Sequence, residues 1–321
     1  MPFDYSEVKA AYERIRPYVR KTLLEQSFYL GGGERNYFFK LESLQRAKSF
    51  KIRGALNKML TLTPEERARG VATVSSGNHG SSVSYAASLL GIDRAVVIVP
   101  ENTPQSKIDR IRYFGAEVLL MGGGYDEAHA LGMQYIAEHG MTYIDAYYDD
   151  PKIYGGQGTI GIEILEQNPD IDTIVVPIGG GGLITGIAVA AKAIKPDVRI
   201  VGVQTEKCPA MIKSVEDNHF YDEYPCDDSI CDALIGGVGA LSYSMVRDVV
   251  DDLIAVNEDT VGCAVCFMAR EEKFIAEAGS CTTVAAVMDY PERIGGKNVA
   301  LVISGGNIDG AMLLSLMEKY R

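Results

Sequence analysis

The sequence is short of positive charge and lacks any long hydrophobic run. Its 31 Lys and Arg residues are outnumbered by 43 Asp and Glu residues, which gives a formal net charge of −12. Surplus negative charge repels nucleic acids and anionic membranes, so we expect neither as a partner. No stretch approaches the roughly 20 apolar residues of a membrane span, and no signal pattern opens the chain. We therefore predict a cytoplasmic protein.

Cysteine is also scarce, and repeats and proline-rich linkers are absent. The six cysteines are scattered over 321 residues, which favours reduced thiols. Cys263 and Cys266 form a lone C-x-x-C in an apolar helical pattern. We predict that both are core residues, because a zinc site would need a second closely spaced pair.

Short apolar runs instead alternate with helical patterns along most of the chain. This alternation predicts parallel strands joined by right-handed crossovers, and therefore an α/β protein with two units. The polar segment 145–154 is the predicted seam between them. The predicted strands are residues 70–76, 94–100 and 116–122 in the first unit, and 172–178, 198–204, 253–257 and 298–304 in the second.

A four-glycine turn, Gly179 to Gly182, lies between a predicted strand and a predicted helix. Glycines allow a ligand to approach the backbone, and the N–H groups of the helix start suit a phosphate. No lysine follows the turn, so it is not a P-loop. Gly180, Gly182 and Gly186 fall one residue away from a dinucleotide fingerprint. The residues alone leave a phosphate monoester, a dinucleotide or a merely tight turn open.

A polar turn follows the strand at 70–76. Ser75, Ser76, Gly77, Asn78 and His79 place backbone N–H groups and short polar side chains together. Such a run can bind a carboxylate. The alternative is an ordinary helix N-cap with a glycine turn.

The segment "SFKIRGALNKM" places Lys51 in the first turn of a predicted helix with Ser49 as its N-cap. The helix dipole and burial would both lower the pKa of this lysine, and a neutral lysine can form a Schiff base. The alternative is a lysine that points to solvent. Together, a phosphate turn, a carboxylate site and such a lysine describe pyridoxal phosphate with an amino acid. The predicted buried stripe of this helix is Ile52, Ala55, Leu56 and Met59.

The motifs "SFKIRGA", "SSGNHG", "GQGTIGIEI", "PIGGGGL" and "SGGN", in this order, resemble the fold type II pyridoxal-phosphate enzymes. The sequence is most similar to the serine/threonine dehydratases (ammonia-lyases) and serine racemases. The resemblance implies two open, twisted parallel-sheet domains like those of the tryptophan synthase β chain. We expect a large cofactor-binding domain at 1–63 and 147–321, a small substrate-gating domain at 64–146, and a homodimer.

The resemblance also implies residue roles. Lys51 would hold the cofactor and move protons on one face of its ring, and Ser76 would be a second catalytic group on the other face. Ser304 would meet the pyridine nitrogen, where a hydroxyl favours β-elimination because it need not protonate the ring. Phe50 would lie against the ring, and Asn78 would contact the ring hydroxyl oxygen. The implied cofactor site is Phe50, Lys51, Asn78, Gly179, Gly180, Gly181, Gly182, Leu183 and Ser304, and the implied substrate-carboxylate site is Ser75, Ser76, Gly77, Asn78 and His79.

Several positions depart from the family pattern. Lys48 precedes "SFK" where glycine is usual, and adds a second amine. Gln204 and Ala210 stand where metal-binding relatives carry carboxylates, so we predict no metal site. His129 lies where some relatives have a basic substrate contact, and we predict a surface histidine.

The predicted reaction is β-elimination from a β-hydroxy amino acid such as threonine or serine, which yields a 2-oxo acid and ammonia. The alternative within the family is an amino-acid racemase, possible if Ser76 serves the face opposite Lys51. A β-replacement synthase is disfavoured, because those enzymes resemble "SGNTG" and this chain has "SGNHG". The non-enzymatic alternative is a nucleotide-binding or sensor protein that uses Gly179–Gly182 and gives Lys51 no role.

Overall fold

The computed structural model describes residues 3–30, 35–226 and 228–320. The strands are β1 Leu24–Gln26, β2 Asn36–Leu41, β3 Val71–Val74, β4 Ala95–Val99, β5 Glu117–Leu120, β6 Thr142–Tyr143, β7 Thr173–Pro177, β8 Arg199–Thr205, β9 Asp252–Val256 and β10 Asn298–Ile303. The helices are α1 Tyr5–Ile15, α2 Lys51–Leu60, α3 Pro64–Arg69, α4 Asn78–Leu89, α5 Gln105–Tyr113, α6 Tyr125–Glu138, α7 Pro151–Gln167, α8 Gly182–Ile194, α9 Ala210–Glu216, α10 Ala240–Val249, α11 Glu258–Arg270, α12 Ala278–Asp289, α13 Pro291–Ile294 and α14 Gly310–Lys319.

The strands form two separate sheets. The larger sheet has the order β1-β2-β10-β7-β8-β9, and the smaller has the order β5-β4-β3-β6. All neighbouring pairs are parallel except β1 with β2. The predicted α/β class with two parallel sheets is therefore confirmed. Strands β7 and β4 are buried along their whole length, as expected where helices cover both faces of a parallel sheet.

Three strands were not predicted. β1 and β2 form the antiparallel edge of the larger sheet, and β6 adds two residues to the smaller one. β1 and β6 are too short for a periodic pattern. β2 reads "NYFFKL", and its Lys40 breaks the apolar run although the side chain is fully buried. Only tertiary pairing identifies these segments as strands.

Helix α7 brings α2 and α8 together through close backbone contacts. A Cβ atom at Gly54 of α2 would lie 2.9 Å from the Ile153 carbonyl oxygen of α7. On the other side, a Cβ at Gly158 of α7 would lie 2.6 Å from the Gly186 carbonyl oxygen of α8. Because α2 begins at Lys51 and α8 follows the glycine turn, this packing holds the two motifs at one edge of the large sheet.

A buried ionic cluster supports the same helices. Lys40 Nζ lies 2.6 Å from Glu163, and Arg53 lies 2.7 Å from Glu163 and 2.8 Å from Glu42. The four side chains are at most 2% exposed. The cluster joins β2, α2 and α7 with two positive and two negative groups, so no charge is left uncompensated.

The cysteine predictions need two corrections. The structure joins Cys208 and Cys226 by a disulfide, with Cα atoms 5.0 Å apart, so the prediction of reduced thiols is wrong for this pair. Their sequence separation gave no sign of the contact, because two loops bring them together. Cys263 is exposed and only Cys266 is buried, so the core prediction holds for one of the two. Within residues 3–30, 35–226 and 228–320, no helix is long and apolar enough to cross a bilayer.

Candidate active site

Lys51 is the first residue of α2, as predicted, but the cap is different. Phe50 occupies the N-cap position without a side-chain cap, and the buried hydroxyl of Ser49 has no partner among the described residues. The prediction of Ser49 as the N-cap is therefore wrong. The backbone N–H of Phe50 instead donates to the Ser304 carbonyl oxygen at 2.9 Å. This bond ties the start of α2 to the end of β10.

The Lys51 amine has one polar partner and two aromatic neighbours. Its Nζ donates to the Ala146 carbonyl oxygen at 2.9 Å and lies 5.4 Å from the Phe50 ring centroid and 5.6 Å from that of Tyr147. Burial lowers the pKa of Lys51 to about 8, against the opposing charge of Asp145. About a tenth of the amine is then neutral near pH 7, and this neutral form is a nucleophile and a base.

The glycine turn lies beside Lys51 and meets the start of α8. Gly181 has φ 96° and is the N-cap of α8, which begins at Gly182. A Cβ at Gly180 would collide with the Tyr147 ring, the ring that also flanks Lys51. A Cβ at Gly181 would likewise meet Ser242, so close packing of neighbouring side chains requires glycine at both positions. The N–H groups at the start of a helix can bind an anion, and a helix start and an amine that share Tyr147 as a neighbour are compatible with pyridoxal phosphate.

The end of β10 adds a buried hydroxyl pair. Ser304 is 3% exposed, and its Oγ shares a 2.9 Å hydrogen bond with Ser280 Oγ. Ser280 Oγ also accepts from the Gly305 N–H at 2.7 Å. Ser304 thus places a neutral hydroxyl next to the start of α2.

The polar turn lies between β3 and α4. Ser75, Ser76 and Gly77 are half-buried, and His79 is buried. His79 Nε2 lies 3.0 Å from the Ile144 carbonyl oxygen, while its buried Nδ1 has no partner within the described chain. Burial lowers the pKa of His79 to about 3, so its ring is neutral. Ile144 lies two residues before Ala146, so one segment contacts both the polar turn and Lys51.

Asn78 is held by partners that the sequence did not reveal. Its Nδ2 donates to both Glu277 carboxyl oxygens at 2.9 and 3.0 Å, and its Oδ1 accepts from Asn307 Nδ2 at 2.7 Å. Burial raises the pKa of Glu277 to about 7, against the Asn78 hydrogen bond. Asn78 and Glu277 are 199 residues apart in sequence, so no local pattern could pair them. In the sequence, Glu277 is marked only as a single acidic residue before the apolar helix α12.

The structure also locates the positions that depart from the family pattern. Lys48 is exposed, with φ 60°. Gln204 is buried, and its Oε1 accepts from the N–H groups of Met211 and Ile212 at 3.0 and 3.1 Å. It therefore caps α9. His129 is half-buried and stacks on Tyr125 with a 6.0 Å centroid distance.

Comparison with known proteins adds independent evidence. Residues 15–305 match the pyridoxal-phosphate dependent enzyme family. This chain belongs to that family. It is 39% identical to the L-threonine ammonia-lyase of Thermotoga maritima, over 98% of this chain and 78% of the relative. It is 37% identical to the catabolic L-threonine dehydratase of Staphylococcus aureus, over 98% of this chain and 91% of the relative.

Among solved structures, maize serine racemase superposes with a TM-score of 0.93 and 33% identity, covering 100% of this chain and 98% of the racemase. The predicted fold, family and cofactor are thereby confirmed. The chain is a pyridoxal-phosphate-dependent enzyme of the ammonia-lyase type.

Proposed function

We propose that this enzyme converts threonine or serine to the 2-oxo acid and ammonia, with Lys51 as the catalytic base. The observation that carries the proposal is the Lys51 amine. It is half-buried, its pKa is lowered to about 8, and it lies beside a helix start that can bind phosphate. The threonine ammonia-lyase of Thermotoga maritima and the threonine dehydratase of Staphylococcus aureus support the substrate class.

Different groups of the chain have separate roles in the proposed reaction. The N–H groups at Gly179–Leu183 bind the cofactor phosphate, and the N–H groups at Ser75–His79 bind the substrate carboxylate. Bound pyridoxal phosphate supplies the electron sink for the broken Cα–H bond. Lys51 Nζ accepts the α-proton and returns a proton to the departing β-hydroxyl, which leaves as water. The released enamine takes up water and gives the 2-oxo acid and ammonia.

Three neighbouring side chains would orient Lys51 and the cofactor ring. Phe50 flanks the Lys51 amine, and Asn78, whose side chain is held by Glu277 and Asn307, would contact the ring hydroxyl oxygen of the bound cofactor. Ser304 would be the neutral partner of the ring nitrogen. Such a partner leaves the ring a modest electron sink, so departure of the β-substituent competes well with other fates of the substrate.

Reductive trapping tests the role of Lys51 without measuring turnover. Borohydride reduction of the purified enzyme, followed by tandem mass spectrometry, should locate a pyridoxyl group on Lys51. The variant Lys48→Arg should keep the label, because Lys48 is exposed, and Lys51→Arg should lose it. A label on Lys48 in the wild type would overturn the assignment.

Racemisation is a second candidate activity, favoured by the match to maize serine racemase over the full chain. Ser76 is half-buried in the polar turn, and on this proposal its hydroxyl delivers a proton to the face opposite Lys51. Ser76→Ala should reduce D-serine formation by about 10²- to 10⁴-fold and preserve L-serine deamination. Absence of D-serine and of solvent deuterium at Cα in the wild type would exclude the racemase.

We also propose that residues 64–146 form a small gating domain on a body made of 1–63 and 147–321, in a cytoplasmic homodimer. The four-stranded sheet lies within 71–143 and supports this division. Substrate should protect the segments at 64 and 146 from proteolysis if the small domain closes.

Light scattering should give twice the mass of the chain, and a monomeric mass would contradict the dimer.

A further inference from the structure

The segment from Ile144 to Tyr147 forms one wall of the site. The Ile144 carbonyl oxygen contacts His79 Nε2 at 3.0 Å, and the Ala146 carbonyl oxygen accepts from Lys51 Nζ at 2.9 Å. Asp145 lies between these two contacts. Its position is therefore next to the base and next to the polar turn proposed to bind the substrate carboxylate.

The Asp145 carboxylate is fixed by backbone N–H groups and has no cationic partner. It accepts from the N–H groups of Tyr147 at 3.3 Å, Tyr148 at 2.7 Å and Asp149 at 3.2 Å. Among the residues that the structure describes, none forms a salt bridge with Asp145. The negative charge is therefore held in place without a directly paired cation, although Lys51 is close enough for the two charges to interact.

The charge acts on the interior of the site. The Asp145 carboxylate raises the pKa of Tyr143 in addition to the effect of burial, and it opposes the burial that lowers the pKa of Lys51. Tyr143 and Asp145 are both half-buried. Water screens the carboxylate only in part there, and its field reaches any group bound beside Lys51.

We propose that Asp145 determines substrate specificity by binding a neutral or cationic β-substituent and excluding a side-chain carboxylate, with a β-amino group bound most tightly. This inference rests on the proposed ammonia-lyase function and names the side chain that the site selects. A β-hydroxyl can donate a hydrogen bond to Asp145, a β-ammonium adds attraction of opposite charges, and a carboxylate is repelled.

The chemistry accommodates a 2,3-diamino acid without further groups. The Cα–H bond breaks, and its proton goes to the Lys51 amine. The Cβ–N bond breaks, and its electron pair leaves with the β-nitrogen as ammonia. Hydrolysis of the remaining enamine with one water gives the 2-oxo acid and a second ammonia.

A competing explanation is that Asp145 only caps the turn at 147–149. The variant Asp145→Asn separates the two roles. Its amide oxygen can keep the bonds from the Tyr148 and Asp149 N–H groups, which share one Asp145 oxygen, while the charge and the longer bond from the Tyr147 N–H are lost. Asp149→Asn is the matched control, because it removes the same charge from an exposed position in the same turn.

The experiment compares kcat/KM for L-serine, L-2,3-diaminopropionate and L-threo-3-hydroxyaspartate in the wild type and both variants. We expect the wild type to prefer the diamino acid over serine, and serine over the hydroxyaspartate. Asp145→Asn should reduce the preference for serine over hydroxyaspartate by roughly 10- to 100-fold, and Asp149→Asn should leave it unchanged. An unchanged ratio in Asp145→Asn, or a wild type that prefers hydroxyaspartate, would overturn the proposal.

A binding measurement keeps this test separate from the proposed function. L-Aspartate has no β-leaving group, and its binding can be followed by the absorbance of the bound cofactor. Asp145→Asn should bind it roughly 10- to 100-fold more tightly than the wild type, and Asp149→Asn should not. Equal affinities would overturn the role of Asp145. Failure of the wild type to deaminate serine and threonine would contradict the proposed function, whatever the aspartate affinities are.

Discussion

Lys40 and Lys51 are two lysines in low-dielectric surroundings whose hydrogen-bond partners differ. Lys40 Nζ is fully buried and donates to Glu163 at 2.6 Å, to Gln167 at 2.8 Å and to the Thr22 carbonyl oxygen at 2.9 Å. Among the described residues, Lys51 Nζ has a single hydrogen-bond partner, the Ala146 carbonyl oxygen at 2.9 Å. Both side chains lose hydration, but only Lys40 replaces the lost water with three acceptors, one of them charged.

This difference separates a structural cation from a reactive amine. Burial lowers the pKa of Lys40, but Glu163 and Glu42 act against it. Burial lowers the pKa of Lys51 to about 8 with only the Asp145 charge in opposition. Direct ion pairing favours the charged form of a buried lysine, and its absence favours the neutral form. The groups around a lysine therefore decide whether its amine is held as a cation that stabilises the fold or is available in the neutral, nucleophilic form.

The largest expected effect is on the reactive lysine. Lys51→Ala should reduce 2-oxo acid release from threonine or serine by about 10⁴-fold or more, because the base and the cofactor attachment are lost together. The melting temperature of the apo-protein should stay close to that of the wild type, since Lys51 forms no ion pair within the described ranges. A large fall in melting temperature would show that Lys51 has a structural role like that of Lys40.

Lys40→Met should have the opposite profile. It removes one cation from a buried cluster and should lower the free energy of unfolding by about 3–5 kcal/mol, as measured with denaturant. The pyridoxyl label on Lys51 should remain. In Lys40→Met combined with Glu163→Gln, Arg53 still pairs with Glu42 at 2.8 Å, so part of the loss should be recovered. A double variant less stable than the single one would argue against charge imbalance as the cause.

Glu277 extends the comparison to a buried acid. Burial raises its pKa from 4.5 to about 7, so between these values the native state keeps a proton that the unfolded chain releases. The free energy of unfolding should fall as pH rises through this window, by at most roughly 3 kcal/mol. Glu277→Gln should remove that part of the pH dependence. Denaturant unfolding of both proteins at the two ends of the window measures the difference, and parallel pH profiles would contradict it.

The smallest expected effect concerns how pyridoxal phosphate adds to the apo-enzyme. The attachment rate should rise with pH to a midpoint near 8, because only the neutral Lys51 amine attacks and its pKa is lowered to about 8. The rate should fall by about tenfold for each pH unit below that value. Asp145→Asn should move the midpoint down, since the Asp145 charge raises the pKa of Lys51. A midpoint near 10.5, the ordinary value for lysine, would show that burial has no effect.

Local sequence signals were sufficient for the individual motifs. Lys51 lies in the first turn of α2 as predicted, although the predicted Ser49 cap is absent, and the apolar stripe Ile52, Ala55, Leu56 and Met59 is fully buried as predicted. The turn at Gly179–Gly182 precedes α8 because glycine alone tolerates its backbone. These features depend on neighbours a few residues away, which periodicity and turn chemistry capture.

Contacts between distant segments were beyond the same signals. Glu277 and Asn307 reach Asn78 from the far end of the chain, and the disulfide of Cys208 with Cys226 depends on the course of two loops. Asp145 lies in a segment that the sequence marked only as a seam. Its importance comes from lying between the contacts to His79 and Lys51.

The sequence by itself determined the βαβ order, the glycine turn, the polar turn and a lysine at a helix start, because each follows from backbone preferences over a few residues. The tertiary structure alone decided how the surroundings of Lys40 and Lys51 differ. The sequence predicted a helix at Lys51 but no strand at Lys40. It also does not say that Glu163 lies 2.6 Å from Lys40, or that Lys51 meets a carbonyl oxygen and no carboxylate among the described residues. A pKa is set by excluded water and by charges a few ångströms away, and these are fixed only when α7 packs against α2 and the wall at 144–147 closes over the amine.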